Sequence, residues 1–316
     1  MNARCLIGLI RVKDYSERGW LDPSSRAERG QWYAERLEEG EILFFPLPPF
    51  ALADEDREFL YGVRQKSSSH YKNISYRPEV DRVKGYARGE TDTGRLLTVM
   101  RRFSQGVRNF ASDFLAAYGG CLRPDYASFR PVEEEGRRLA LKSRNDLLHV
   151  DSFPTRPSNG DRILRVFTNL NAARARVWLT TSTFDEIVKE HARPAGLGSL
   201  AARARSFGEG ARRAFGALAR RLGVPLPDRS PYDRFMMGFH HYLKASHRFQ
   251  STCPKFRWEF PPLSAWLVYT DMVPHAVLAG QYALEQTFIV SRRALLVPHK
   301  APAQILENLV GVPLTY

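Results

Sequence analysis

The sequence is short of the residues that would mark several common protein classes. Only three of its 316 residues are cysteine. Cys5, Cys121 and Cys253 are far apart and form no CxxC pair, which excludes a disulfide framework or a zinc ribbon and fits a reducing compartment. No apolar run approaches the ~20 residues of a membrane-spanning helix. The opening residues Met1 to Ile10 are broken by Gly8 and lack a small-residue cleavage site, so they read as a first strand rather than a secretory signal. There is no GxxxxGK[ST] loop and no GxGxxG after a strand, and no Cys–His or Ser–His–Asp arrangement is legible. Zinc-finger, RNP and helix-turn-helix signatures are missing as well, so nucleic acid is not an expected partner. Acidic residues are in deficit: 34 Asp+Glu against 47 Lys+Arg give a formal charge of +13.

What is present is enough apolar material for a sizeable core, 43% of the chain, which excludes a largely disordered protein. The length suits about two domains, or one large sheet domain with decorations. The positive excess calls for an anionic partner such as an acidic membrane surface or a charged substrate. It is concentrated between Ala192 and Ser230, where Leu200, Ala204, Phe207, Ala211, Phe215, Leu218 and Leu222 recur at helical steps among arginines. Such a segment can lie on an anionic bilayer, or pack on the core with a solvated basic face. Gly208, Gly210 and Gly216 weaken it as an isolated helix.

Helical spacing is expected over Arg57–Ser67 and over Arg95–Tyr118, where Leu96, Met100, Phe103, Val107, Phe110 and Phe114 share a face. From Tyr126 onward the pattern turns to short β-rich runs. Strands are expected at Ala127–Val132, Leu147–Asp151, Ile163–Leu170, Arg176–Thr181, Phe256–Phe260, Ala265–Thr270, His275–Ala279 and Leu284–Val290. Helices near Phe184–His191 and Tyr232–His247 interrupt them. Eight short strands with a long insertion suggest a mainly β fold with flanking helices, a cupin-like double-stranded β-helix or jelly roll. The whole chain would then be one domain: a lead-in over 1–125, the β-helix over 126–298 with a basic helical insertion at about 185–250, and a tail over 299–316.

The sharpest local motif is Leu148-His149-Val150-Asp151. Residues i and i+2 of a strand share a face, so His149 and Asp151 would present an imidazole and a carboxylate to one interior. His275 opens an apolar run much later, after the strand-like Trp266–Tyr269 and a turn. Two histidines and one carboxylate on one side of a metal, with positions left open, make the facial triad of non-haem Fe(II) oxygenases. The plain alternative is an HxD whose histidine is only hydrogen-bonded in the core.

A 2-oxoglutarate co-substrate would need an arginine fork for its far carboxylate. Arg165 sits inside an otherwise apolar strand and is the first choice; Arg162, at the opposite parity, is the second. Arg292 and Arg293 fall in a polar turn and are expected to face solvent, while Gln286 and Thr287 could donate to the same ligand. His240, His241 and His247 share a helical segment without a carboxylate at i+3 or i+4, which argues against a second metal; His70, His191 and His299 are expected at the surface.

Several long runs carry a specific resemblance: LLHVDSFPTRPSNGDRILRVFTNLN (147–171), YDRFMMGFHHYLKASHRFQ (232–250), FPPLSAWLVYTDMVPHAVLAGQYALEQTF (260–288) and APAQILENL (301–309). With YKNISYRP (71–78) and ASFRPVEEEGR (127–137), the chain resembles the Kdo hydroxylase family along nearly its whole length. The resemblance implies a double-stranded β-helix with Fe(II) on His149, Asp151 and His275, using 2-oxoglutarate and O2. It also implies a substrate, the sugar Kdo carried on lipid A, hydroxylated at C3 to give Ko, with the enzyme cytoplasmic and peripheral on the inner face of the inner membrane. Arg130, Arg144 and Arg77 are candidates for the sugar's carboxylate. Two other readings stay open: the same chemistry on another anionic sugar or small metabolite, and a non-catalytic barrel that binds membranes or polyanions.

Overall fold

The computed structural model describes residues 7–13, 15, 23–66, 72–204 and 229–316. Its helices and sheets follow from where the apolar side chains fall. The longest helix, α3 (Thr93–Phe114), starts where the Asp92 side chain accepts a hydrogen bond from the Arg95 amide. One face of α3 buries Leu96, Met100, Phe103, Val107, Phe110 and Phe114. Phe110 and Phe114 meet Phe45 and Tyr15 in edge-to-face contacts at 5.1–5.4 Å. Ahead of α3 come β1 (Leu9–Arg11), α1 (Pro23–Glu38), β2 (Ile42–Phe45), α2 (Asp54–Gly62), β3 (Ile74–Arg77) and β4 (Arg82–Lys84).

After α3 the chain forms β5 (Leu122–Arg130), β6 (Arg162–Asn169), β7 (Arg176–Thr180), α4 (Phe184–His191), α5 (Leu197–Ala204), α6 (Pro231–Ala245) and α7 (His247–Thr252). Then follow β8 (Phe256–Phe260), β9 (Ala265–Tyr269), β10 (His275–Ala279), β11 (Ala283–Val290) and α8 (Pro302–Val310). The strands make an eight-stranded sheet, ordered β1-β2-β9-β6-β11-β5-β3-β4, and a three-stranded sheet, β10-β7-β8. Among the described residues only the β1–β2 pair is parallel. The strand expected at Leu147–Asp151 does not form; the HxD segment meets the edge of the small sheet through one bridge, in which the His149 amide donates to the His275 carbonyl at 3.1 Å and the His275 amide returns the bond at 2.9 Å.

Strand alternation divides the large sheet into two faces. Leu284, Phe288, Leu164, Val166, Leu267 and Tyr269 point toward the helices and join the main core. Phe167, Trp266 and Val268 point the other way, toward Trp178, Phe260 and Val277 of the small sheet. Phe260 and Trp266 stack at 3.9 Å across this inter-sheet layer.

Most expected elements are present, with shifted limits. β5 begins at Leu122, five residues earlier than expected, because the ladder with β11 shifts register near Pro124, where a missing N–H is tolerated. The expected helix at Tyr232–His247 is two helices, because Ser246 leaves the helical conformation and caps α7 through the Phe249 amide. His191 is 8% exposed and packs on the Tyr242 and Phe249 rings, contrary to the surface position expected for it. His70 and residues 205–228, which hold most of the basic amphipathic pattern, lie outside the described residues.

The helix-facing side also holds Arg162, fully buried, with its Nε 2.9 Å from Asp271 Oδ2 and its guanidinium over the Tyr269 ring. A buried ion pair broken on one side leaves a charge without compensation, which costs about 3–5 kcal/mol. Asp271→Asn is therefore expected to lower unfolding stability by a few kcal/mol in a denaturant titration. A midpoint equal to the wild type's would contradict the role of this pair.

Candidate metal and anion site

Between the HxD segment, the inner face of the large sheet, the small sheet and α6 lies a cavity of about 490 Å3. His149 and Asp151 both line it, as alternation requires for neighbours of one parity. His149 Nδ1 lies 2.7 Å from the Leu147 carbonyl, which fixes the ring proton there and leaves Nε2 for the cavity, 3.8 Å from Asp151 Oδ1. His275 is held the same way, its Nδ1 2.9 Å from the Val273 carbonyl. Its ring lies 4.8 Å from that of His149 and stacks on Trp178. Backbone anchors of this kind fix tautomer and orientation, as metal-ligating imidazoles require.

A third imidazole joins them. His240 of α6 directs Nδ1 to the Val150 carbonyl at 2.7 Å, and its ring meets His149 at 4.9 Å. Candidate ligand atoms of His149, Asp151 and His240 all lie within 4.8 Å of one another.

The electrostatics favour neutral imidazoles beside a charged carboxylate. Burial, reinforced by His275, Lys244 and His240, pushes the His149 imidazolium well below its ordinary range. Burial also lowers His275, and it takes His240 down to about 4. Burial would raise the Asp151 carboxyl, but Arg165 and the two imidazoles outweigh it and hold the group well below the usual carboxylate range. Asp151 Oδ2 is buried and accepts no hydrogen bond, although Arg165 Nη2 is 3.2 Å away. A buried carboxylate oxygen without a hydrogen bond is costly unless a cation takes it up, so the donor set suits a divalent metal.

Behind the histidines stand three strand-borne arginines. Arg165 of β6 contacts both Asp151 and Glu285. Arg130 of β5 forms a two-pronged pair with Glu285 at 3.0 and 3.1 Å. Arg176 of β7 is 1% exposed, lies 3.7 Å from Glu134 and donates to the Gly280 carbonyl; burial takes it down to about 10.

The expected residues divide by strand parity and by distance. Arg165, Thr287, Arg130 and Arg77 line the cavity with the three expected metal ligands. Arg162 does not reach it, because its parity turns it to the helix side. Gln286 is turned the same way and bonds Ser104 and the Asp125 carbonyl, so it cannot share a ligand with Thr287. Arg144 lies outside the cavity, paired with Asp146. Arg292 is tied to Thr315 near the end of the chain. The structure adds His240, Arg176, Trp178, Lys72 and Lys244 to the lining. His240 meets a carboxylate from another part of the chain, which spacing within α6 does not reveal.

A buried cluster of imidazoles and a carboxylate, backed by arginines and lying between the two sheets, has the donor set of a non-haem iron dioxygenase. Solved structures of that class superpose on the chain. A Kdo hydroxylase, KdoO, described as a non-heme Fe(II) alphaketoglutarate dependent dioxygenase in complex with alphaketoglutarate and Fe(III), has 31% identity and a TM-score of 0.79, covering 98% of this chain and 97% of the other. The same enzyme with cobalt(II) has 32% identity and a TM-score of 0.79, with 97% of each chain covered. The family model for 3-deoxy-D-manno-oct-2-ulosonic acid (Kdo) hydroxylase matches residues 21–313, and the chain belongs to this family. Comparison with curated proteins gives no significant match.

Arg176 depends on one glycine. Gly280 has φ +123°, and a Cβ there would stand 2.9 Å from the Arg176 side chain and 3.0 Å from its Cα. Gly280→Ala is expected to cost about 1–3 kcal/mol through backbone strain and the displaced arginine. Thermal unfolding checks this, and an unchanged midpoint would show that Arg176 and the turn yield freely.

Proposed function

We propose that the chain hydroxylates C3 of Kdo carried on lipid A, giving Ko, with 2-oxoglutarate and O2 consumed and succinate and CO2 released. The observation that carries this reading is the convergence of His149, Asp151 and His275 in one cavity with Arg165, in a chain of the Kdo hydroxylase family. In the proposed arrangement His149 Nε2, one Asp151 oxygen and His275 Nε2 hold the Fe(II). The bound iron, with O2 and 2-oxoglutarate, supplies the oxidising power that an unactivated C–H bond demands and no side-chain base can provide. His275 is preferred over His240 as the third ligand because its strand is hydrogen-bonded directly to the HxD segment. The compact grouping of His149, Asp151 and His240 supports a second arrangement, with the metal shifted toward α6.

The residues around this centre have separate tasks in the proposal. Arg165 binds the far carboxylate of 2-oxoglutarate, assisted by Arg130 and Arg176, with Thr287 as a hydroxyl donor. Arg130 shares Glu285 with Arg165 and so belongs with the co-substrate rather than with the sugar. Glu285 and Glu134 keep the buried guanidiniums compensated before the co-substrate enters. Trp178 and Phe167 wall the cavity and limit water around the reacting carbon.

The fold proposed is a double-stranded β-helix: β5, β11, β6 and β9 as one wall, and the HxD segment, β10, β7 and β8 as the other. Residues 1–125 and 299–316 would pack around it as parts of one dioxygenase domain. No helix among the described residues is long and apolar enough to cross a membrane. The charge of +13 and the arginine-rich stretch before Ser230 support work on an anionic leaflet, at the cytoplasmic face of the inner membrane.

Protein supplied with Fe(II) is expected to consume 2-oxoglutarate and to add one oxygen to Kdo–lipid A, read by succinate release and mass spectrometry. Asp151→Ala is expected to abolish both, and Arg165→Ala to raise the KM for 2-oxoglutarate by about tenfold or more. Turnover that survives loss of the Asp151 carboxylate would reject the metal site.

A further inference from the structure

Among the cations that line the cavity, which also include Arg77, Lys84, Lys142 and Arg156, two sets differ in origin and in compensation. Arg130, Arg165 and Arg176 come from strands and face the carboxylates Asp151, Glu285 and Glu134. Lys72 and Lys244 come from a loop and from α6, and neither forms an ion pair with a carboxylate among the described residues. Lys244 is 3% exposed, and the one partner of its Nζ is the Lys142 carbonyl at 3.3 Å. The backbone of Lys72 is held by Arg137, which donates to its carbonyl at 3.1 Å. Both lysines line the same cavity as the histidines, with Lys142 beside them.

The charges show what this second set is for. The three arginines and three carboxylates balance. A divalent metal and a dicarboxylate co-substrate also balance, so binding both leaves the arginine set neutral. Asp151 acts on both ammoniums, but from beyond ion-pair distance. Burial and the nearby Lys72 already draw Lys244 down to about 8, and burial and Arg130 draw Lys72 down. Holding the buried Lys244 and the half-buried Lys72 in one cavity without a paired anion costs stability, and a further anion entering it would relieve that cost.

We propose that Lys72 and Lys244 form the subsite that binds the carboxylate of the substrate sugar, separate from the arginines that bind the co-substrate. This rests on the Kdo reading given above. Lys244 lies one helical turn beyond His240 on the same face of α6, which sets the carboxylate beside the histidine cluster. In Kdo the carboxylate carbon and C3 are both bonded to C2. Fixing the carboxylate on the lysine pair therefore fixes the carbon to be hydroxylated, and its distance from the metal ligands is set by α6.

The test compares Kdo with its methyl ester, which removes the negative charge and keeps the sugar. With the Fe(II)-loaded protein, the wild type is expected to prefer acid over ester by at least about tenfold. Lys244→Gln and Lys72→Gln are each expected to shrink that preference severalfold, and to raise the KM for the sugar more than the KM for 2-oxoglutarate. Lys244→Arg, which keeps the charge, is expected to restore part of it and controls for folding. Acid-over-ester preference retained at wild-type size in both glutamine variants overturns the assignment. The same comparison by calorimetry needs no turnover, so an inactive protein that still prefers the acid through these lysines would reject the activity and leave the subsite standing.

Discussion

Two backbone hydrogen bonds between His149 and His275 hold the site together. They join segments far apart in the chain, and the Asp151 amide, which donates to the Thr270 carbonyl, ties the HxD pair to the turn before His275 as well. Each imidazole then needs only a local carbonyl, two residues back, to set its tautomer. The sheet supplies the distance between the two rings and the local carbonyls supply their direction. Precision of this kind comes from rigid elements rather than from loops.

Charge is the second constraint. The cavity brings buried guanidiniums next to buried carboxylates, an arrangement that contributes little net stability but keeps a polar interior ready for an anionic ligand. Glu285 is central to it, since Arg130 and Arg165 both contact its carboxylate. Lys72 and Lys244 lack such partners among the described residues, so one part of the cavity is compensated and another carries excess positive charge. A dicarboxylate and a carboxylated sugar would meet different parts of the same chamber.

Much of this was legible in the sequence, and strand alternation marks where legibility ended. The isolated arginine at 165 and seven of the eight β-rich runs carry a period that the fold obeys, while Leu147–Asp151 forms only a bridge at His149. Arg162 and Gln286 were candidates by chemistry, yet the same period turns them to the helix side, where Asp271 and Ser104 receive them. Gln286 and Thr287 are adjacent, so one strand could bring only one of them to the cavity. His240 and Lys244 were not legible as cavity residues, because what brings them to the histidine cluster is the packing of α6 against the HxD segment. His191 was misplaced for a related reason: its burial comes from α6 and α7, not from its own helix. The Pro124 register shift hid the start of β5, since a proline and an aspartate together look like a turn.

Three imidazoles surround one carboxylate, and only a direct view of the ion separates the arrangements. The most direct measurement is anomalous diffraction at the iron edge from crystals loaded anaerobically with Fe(II). The expected result is a single ion at about 2.0–2.2 Å from His149 Nε2, an Asp151 oxygen and His275 Nε2, with His240 beside it and unbound. An ion ligated by His240 with His275 outside its coordination sphere, or an ion bound away from the HxD segment, would contradict the proposed centre.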